Sequence, residues 1–408
     1  MSGPVATAEW RSDIGAAASE AGRDRSRLRG PRAAGALPIW MALGLLLVAG
    51  WIIVTVDGGT FLTSSNVTNI LQRSVALGIV AVGQTVAILV GSLDLSVAYL
   101  ISLSSLVAAE TMDGRESMLV PAIALTLALG AGVGLVNGLV ITKLRVNAFI
   151  ATLGMGLVLK GYLADNYSRP AGSVPESFES FGYTRMGPVP VSVFLFAGVA
   201  LVVGFMLRRT RWGYHVYAVG GDEQVSSLSG LRTHRVVIGA HVLCSVAAAM
   251  TGLFLASRLG SGTPRVGTDG GYDLESIAAV VLGGTALAGG KGRVSGTVGA
   301  VLVLAVLDNL FNQLQVDPFL KQVLRGVVII VAVAVYARRK QVAARQEGGA
   351  TPDAGPATTP VEPTTPPADP AATPGRAEAP ATVGTPAQAG TAPEPEPEPE
   401  SESEGTTP

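Results

Sequence analysis

Long apolar segments separated by short polar ones constrain this chain more than any other feature of its sequence. A helix that crosses a bilayer needs about 20 mostly apolar residues. Windows of that kind recur ten times, at 38–56, 68–90, 94–110, 119–140, 146–163, 188–207, 236–257, 273–290, 294–313 and 318–336. The sequence therefore predicts an all-α polytopic membrane protein with about ten transmembrane helices, several of them short and interrupted by glycine.

The overall composition agrees with this class. Only 14% of the 408 residues are charged, whereas a soluble domain usually carries about 25%. The formal net charge of −1 argues against a nucleic-acid partner, because such partners need a concentrated basic surface. The single cysteine, Cys244, lies within an apolar run, and we expect it to be a small buried side chain.

Polar and proline-rich segments flank the apolar region and divide the chain into three parts. Residues 1–36 contain five closely spaced arginines and predict a disordered, basic cytoplasmic tail. Residues 37–340 form the transmembrane domain, whose longest internal connection is 208–235. Residues 341–408 are rich in Pro, Ala, Thr and Glu and have almost no large apolar side chain, so they predict a second disordered tail.

The distribution of basic residues predicts which side of the membrane each loop occupies. Lysine and arginine are concentrated in alternate loops, namely at 143–145, 208–235, 291–293 and 338–345. Cytoplasmic loops carry such an excess. We therefore expect an even number of spans, with both termini in the cytoplasm.

The glycine-rich stretch "VVLGGTALAGGKGR" (280–293) invites comparison with a phosphate-binding loop. That loop requires G-x-x-x-x-G-K-[ST], but Thr285 occupies its first glycine position and Gly292 its hydroxyl position. A nucleotide-binding enzyme is thus disfavoured. Small residues four positions apart allow membrane helices to pack closely, so we interpret these glycines, like those of 125–138 and 150–161, as helix-packing positions.

Four polar side chains within or beside the apolar windows are candidates for a translocation path: Gln84, Asp94, Asp308 and Asn309. Polar groups are costly in hydrocarbon and usually face protein or a water-filled route. For Asp94, which follows a glycine and opens an apolar run, a helix N-cap is an equal alternative. For Asn309, a hydrogen bond between helices is the stronger alternative.

An ion-coupled secondary transporter would need its own chain of titratable groups, and the histidines do not supply one. His215 and His234 lie in the connection 208–235, and His241 lies just inside the seventh window.

A separate likeness between "GSLDLSV" (91–97) and "GYDLESI" (271–277) suggests an inverted repeat of two halves around a central path.

The connection 208–235 predicts a short helix, bounded by a turn at 220–223 and by an end at Ser229 and Gly230. Its acidic residues, Asp222 and Glu223, stand at the positive N-terminal end of that helix. A short helix isolated in the cytoplasm has little to pack against in its own chain. We therefore expect a docking surface for a partner, with an ordinary ordered loop as the alternative.

From residue 40 to residue 336 the chain resembles the membrane permease subunits of bacterial ATP-binding-cassette importers for monosaccharides, the ribose/xylose/galactoside type. The similar segments occur in the family's order. They are "VGSLDLSVAYLISLSSLVAA" (90–109), "NAFIATLGMGLVLKG" (147–161), "RPAGSVPESF" (169–178), "RRTRWGYHVYAVGGDEQVSSLSGL" (208–231), "YDLESIAAVVLGGTALAGGKGRVSGTVGA" (272–300) and "LDNLFNQLQVDPFLKQVLRGVVIIVAV" (307–333).

The resemblance implies a transport subunit of a bacterial plasma (inner) membrane that is not itself an enzyme and holds no cofactor. Separate cytoplasmic ATPase subunits would bind ATP, an extracytoplasmic sugar-binding protein would deliver the substrate, and a second copy or a sister permease would complete the path in the lipid. It also implies that the short helix couples the permease to the ATPase. The coupling residues would be Gly221, Asp222, Glu223, Ser229 and Gly230.

The chain departs from the family pattern at 225–227, where Val-Ser-Ser replaces an Ala-Ala-Arg-like run, and at Gly91-Ser92, where two glycines are usual. The first change leaves open which ATPase the chain pairs with, and the second weakens any substrate role for Asp94. Nucleosides, autoinducer-type sugars and branched-chain amino acids remain alternative substrates, because permeases of this architecture carry all of them.

Overall fold

The computed structural model describes residues 37–317 and, beyond them, 319–321, 323–324 and 326–327. The described helices are α1 Leu37–Val56, α2 Ser64–Leu89, α3 Val97–Met112, α4 Leu119–Lys143, α5 Ala148–Asn166, α6 Glu176–Tyr183, α7 Val191–Arg209, α8 Arg211–Gly221, α9 Glu223–Leu228, α10 Thr233–Leu259, α11 Val266–Asp269, α12 Tyr272–Leu282 and α13 Val294–Gln313. A 3-10 turn, Glu116–Met118, precedes α4, and an antiparallel pair of two-residue strands, β1 Arg185–Met186 and β2 Val189–Pro190, precedes α7.

Seven helices in the described part of the chain are long and apolar enough to cross a membrane: α1, α2, α4, α5, α7, α10 and α13. Each corresponds to one of the apolar windows, so the all-α polytopic class is confirmed. The two predicted tails, 1–36 and 341–408, lie outside the described residues.

The count of about ten transmembrane helices is not confirmed. The window 94–110 forms α3, which has 16 residues, and the window 273–290 forms α12, which has only 11. At 1.5 Å per residue, α12 rises about 16 Å, roughly half of a hydrocarbon core. Most of the remaining window, 318–336, lies outside the described residues.

The glycine-rich stretch after α12 is irregular backbone, so its interpretation as a helix-packing surface was wrong. Gly284, Gly289 and Gly290 have φ angles of 89°, 84° and 70°, a left-handed conformation that ends the helix and favours glycine. A Cβ atom on Gly289 would lie 2.7 Å from the backbone nitrogen of Gly91. These glycines do permit close backbone approach, but of a loop to Gly91 after α2 and to the last residues of α8.

Helix α2 forms the centre of the bundle. Of its apolar window 89% is buried, compared with 17% for α1 at the periphery. Gly83 on α2 lets α10 approach closely, because a Cβ atom there would lie 2.6 Å from Ala247 and 3.0 Å from the backbone of Cys244. Cys244 is a buried, free cysteine, as expected.

Close packing through small residues is confirmed for the stretch 125–138. Gly130, Gly134 and Gly138, spaced four apart on α4, all face α10, and a Cβ atom on Gly134 would lie 2.6 Å from the His241 carbonyl. The stretch 150–161 behaves differently, because of its glycines only Gly156 meets a neighbouring helix. Glycines four apart therefore pack α4 against α10, whereas the unevenly spaced glycines of α5 are mostly exposed.

The two ends of the bundle differ in charge and in structure. At the end that we call the basic end, the Gly290 amide donates to the carbonyl of Leu89 (2.9 Å), and the Tyr217 hydroxyl donates to the carbonyl of Gly292 (3.0 Å). These contacts hold α8 and the glycine loop against the last turn of α2. The opposite end carries α6, α11 and the start of α2.

Candidate functional site

A cavity of about 450 Å³ opens at the end of the bundle opposite the basic end. Helices α2, α10 and α13 form its walls, together with the segment 269–275. Its polar lining residues are Asn69, Gln72, Arg73, Arg258, Asp269, Glu275 and Asp308, and its aromatic ones are Phe254, Tyr272 and Phe311.

A charge pair joins two walls of this cavity. Arg73 on α2 lies 3.7 Å from Asp308 on α13, measured from Nη1 to Oδ2, and the side chains are 53% and 28% exposed. Both groups therefore keep contact with solvent while they face each other. A guanidinium and a carboxylate placed in this way offer hydrogen-bond donors and acceptors to a small polar molecule.

Helix α6 is tied to the rim of the cavity by side chains that also line it. The carbonyl of Gly182 accepts hydrogen bonds from Gln72 Nε2 (2.8 Å) and from Arg258 Nη1 (3.1 Å). The Arg258 guanidinium lies 4.4 Å from the centre of the Tyr183 ring, and the Tyr183 hydroxyl donates to the Arg258 carbonyl (2.6 Å). These contacts between α2, α6 and α10 fix the position of the Arg258 guanidinium, and therefore of its positive charge, at the rim.

The cavity has the dimensions and lining of a small-molecule site. Its volume falls within the range of about 300–1,000 Å³ that is usual for such sites. Apolar walls from Leu77 and Leu304 carry several polar groups and three aromatic rings, a combination that suits a polyhydroxylated molecule with both apolar and hydroxyl-bearing faces. Among the described residues, no group of three or more His, Cys, Asp or Glu could hold a metal ion.

A second polar cluster surrounds Asp94 inside the bundle, in the break between α2 and α3. Asp94 Oδ1 accepts hydrogen bonds from the amide (3.0 Å) and hydroxyl (2.6 Å) of Ser96. Asp94 Oδ2 lies 3.5 Å from His241 Nδ1 and 3.4 Å from the Ser245 hydroxyl, both on α10. Because a carboxylate only accepts, His241 Nδ1 is the donor in this contact, and Nε2 lies 2.7 Å from the Ser92 hydroxyl.

The Gln84 amide completes this cluster. When its two terminal atoms are assigned by their partners, its nitrogen donates to the Asp94 carbonyl (3.3 Å) and its oxygen accepts from the Asp94 amide (3.1 Å). On the other side, Asn137 on α4 donates to the Ser96 hydroxyl (3.0 Å). Gln84, Asp94 and His241 have no exposed surface. The cluster therefore fastens the α2–α3 break to α4 and α10.

The four candidate path residues occupy three different places. Asp308 lines the cavity, whereas Gln84 and Asp94 lie in the closed interior. The N-cap alternative for Asp94 was wrong in detail, because α3 has Ser96 at its N-cap and Asp94 bonds to that residue. Asn309 Nδ2 donates to Asn66 Oδ1 (2.7 Å), the interhelical bond that was the stronger alternative.

Two important residues were missed at the sequence level. Arg73 lies inside the apolar window 68–90, so the cost of burying a charge in a membrane should have selected it together with Asp308. At the sequence level, His241 enters only as part of a proton relay that the three histidines do not supply, yet Asp94 contacts it across 147 positions. No local pattern indicates that second contact.

The predicted docking segment contains two helices. Gly220 and Gly221 end α8, so the expected turn at those residues was wrong. Helix α9 then begins at Glu223, with Asp222 Oδ1 accepting the Val225 amide (2.9 Å) as its N-cap. After Ser229, Gly230 takes a φ of 81°. Leu228 is 89% exposed at the surface of this segment.

Comparison with known proteins places residues 66–333 within the family described as "Branched-chain amino acid transport system / permease component". The curated relatives include the ribose import permease protein RbsC of Escherichia coli K12, which is 41% identical over 296 residues, covering 71% of this chain and 90% of the relative. The RbsC protein of Bacillus subtilis is 39% identical over 298 residues, with the same two shares.

A third relative is named for a different sugar. The L-arabinose transport system permease protein AraH of Escherichia coli K12 is 34% identical over 311 residues, covering 75% of this chain and 93% of the relative. No solved structure matches this chain at a significant level.

Proposed function

This chain belongs to the family of transport-system permease components, and we propose that it is the transmembrane subunit of an ATP-binding-cassette importer for a monosaccharide. The observation that carries the proposal is the 41% identity to a ribose import permease across 90% of that protein's length. An arabinose permease at 34% identity supports the same substrate class. The family description names branched-chain amino acids, but the curated relatives compared above are named for sugars.

We place the outer part of the sugar path in the cavity between α2, α10 and α13. Its residues lie at the opposite end from the basic loops, which we assign to the cytoplasm. Arg73 and Asp308 would bind sugar hydroxyls there, and Tyr272 and Phe311 would contact the apolar face of the ring. A second copy or a sister permease would enclose the path.

Helix α9 is our proposed coupling helix. It is short, capped at Asp222 and bounded by Gly230, and it exposes Leu228 to a partner. Cytoplasmic ATPase subunits would bind ATP and close against this segment. Closure would shift the permease between outward-open and inward-open states through differential binding. The chain itself would hydrolyse no ATP, and an extracytoplasmic binding protein would select the sugar.

The test is uptake into vesicles that contain the permease, its ATPase and its sugar-binding protein. We expect ribose or another monosaccharide to enter only when all three are present with ATP. Arg73→Gln and Asp308→Asn should each reduce uptake roughly tenfold, because a hydrogen bond to a charged group contributes about 1.5–3 kcal/mol.

Arg115→Gln is the matched control, since Arg115 is an exposed arginine at the same end and pairs with Asp113 outside the cavity. Uptake by this variant should equal that of the wild type. An equal loss of uptake in all three variants would show that the cavity is not part of the sugar path. Uptake of leucine instead of sugar through the same assembly would replace monosaccharides with branched-chain amino acids as the substrate class.

A further inference from the structure

A second cavity, of about 440 Å³, lies at the basic end of the bundle between the end of α7, helix α8 and the glycine loop. Three basic side chains, Arg208, Lys291 and Arg293, line it together with Tyr214 and Tyr217. Backbone from Gly290 and Gly292 forms part of its wall. We call this the basic cavity.

The positive charge of the basic cavity is not neutralised within the described part of the protein. None of the ion pairs that the described residues form includes Arg208, Lys291 or Arg293. Burial raises the pKa of the Tyr217 hydroxyl, and Arg208 and Arg293 act on it in the opposite direction, so both guanidinium groups lie close to this tyrosine. The cavity therefore concentrates positive charge, which favours an anion over a neutral or cationic molecule.

The surface that leads to the basic cavity is apolar. Leu201 and Phe205 on α7 are 73% and 64% exposed. They precede Arg208 by seven and three positions, which places all three on one face of the helix. Tyr214, 63% exposed, is an aromatic residue of the kind that concentrates at the membrane interface. A molecule that fills this site would have an anionic head and an apolar tail.

From this arrangement we propose that the basic cavity binds the phosphate headgroup of an anionic phospholipid from the cytoplasmic leaflet. The acyl chains run along Leu201 and Phe205. Basic pockets between transmembrane helices on that side of a membrane are suited to such headgroups. Gly290 packs against Gly221, so the bound lipid lies beside the segment that leads into α9. The inference rests on the proposed orientation, with the basic end in the cytoplasm, and not on which substrate the permease carries.

Thermal unfolding of the full chain in nanodiscs tests this inference. We expect phosphatidylglycerol to stabilise the wild type more than an equal amount of phosphatidylcholine. The double variant Arg208→Gln/Arg293→Gln should bind phosphatidylglycerol roughly thirtyfold more weakly, from the usual contribution of each basic residue near an anionic surface. The double variant Arg209→Gln/Arg211→Gln removes the same charge from exposed residues outside the cavity and should bind it normally.

Three results would overturn the inference. Equal loss of binding in both double variants would mean a diffuse surface effect. Displacement of the lipid by millimolar glycerol 3-phosphate would mean a site for a soluble phosphate. Loss of ATPase binding with phosphatidylglycerol retained would make the cavity a protein contact. Should the first double variant fail to fold, Lys291→Gln, a single change in an exposed loop residue, should still weaken lipid binding severalfold.

Discussion

A single carboxylate, Asp94, holds more of the interior together than any other polar side chain described above. Its two oxygens contact Ser96, His241 and Ser245, and its backbone contacts Gln84. The break between α2 and α3 leaves backbone groups that a continuous helix would satisfy, and a buried unsatisfied group is costly. Asp94 thus accepts a hydrogen bond from the Ser96 amide at the start of α3 and joins the break to α10.

Replacing Asp94 with alanine should strongly destabilise the protein. Removing one partner of a buried pair costs about 3–5 kcal/mol, so we expect the unfolding midpoint in detergent to fall by roughly 10 °C. Asp57→Ala, a change at an exposed loop residue, should leave the midpoint almost unchanged. A midpoint for Asp94→Ala equal to that of the wild type would show that this cluster does not stabilise the fold.

At the scale of single elements, the surroundings of a glycine decide what it does. On α4, Gly130, Gly134 and Gly138 form a stripe against α10. In the loop after α12, glycines at positive φ let three backbone segments meet. Helix α9 depends on the residues at its two ends, because six residues cannot form a stable helix without caps or contacts.

If α9 couples the permease to the ATPase, changes at the residues that begin and end this helix should alter uptake. Asp222→Ala removes the N-cap acceptor and should lower ATP-driven uptake severalfold, whereas Asp222→Asn keeps an acceptor and should restore most of it. At Gly230, asparagine tolerates the left-handed conformation better than valine. Gly230→Asn should therefore transport better than Gly230→Val.

These four variants should be compared at equal amounts in the membrane, with uptake and the ATPase rate of the assembled transporter as readouts. Normal transport by both Asp222→Ala and Gly230→Val would count against the coupling role.

At the scale of the whole molecule, each of the two cavities lies at one end of a bundle whose long helices pass from one end to the other. The outer cavity combines both signs of charge with aromatic rings, and the basic cavity carries one sign only. Their separation is what the proposed sugar path at one end and the proposed lipid site at the other require. Orientation in the membrane is therefore the property to test.

Single-cysteine labelling measures that orientation directly. Leu228 on α9 and Leu62 before α2 are 89% and 66% exposed, and native Cys244 is buried. In intact cells, a membrane-impermeant maleimide should label Leu62→Cys and leave Leu228→Cys unlabelled until the membrane is opened. The wild type should stay unlabelled in both conditions. The reverse pattern would invert the topology and move the outer cavity to the cytoplasmic side.

The sequence alone determined the fold class, seven of the membrane helices, the position of α9 and the family. Each of these follows from a local signal: a run of apolar residues, a concentration of basic residues, or a series of segments in order. Only the tertiary structure showed that α12 has 11 residues, that Asp94 meets His241, and that Arg73 meets Asp308. The two contacts depend on which side chains from distant segments face each other. Small residues set this, because they determine where two helices approach closely. The sequence around each residue carries little information about contacts between residues this far apart in the chain.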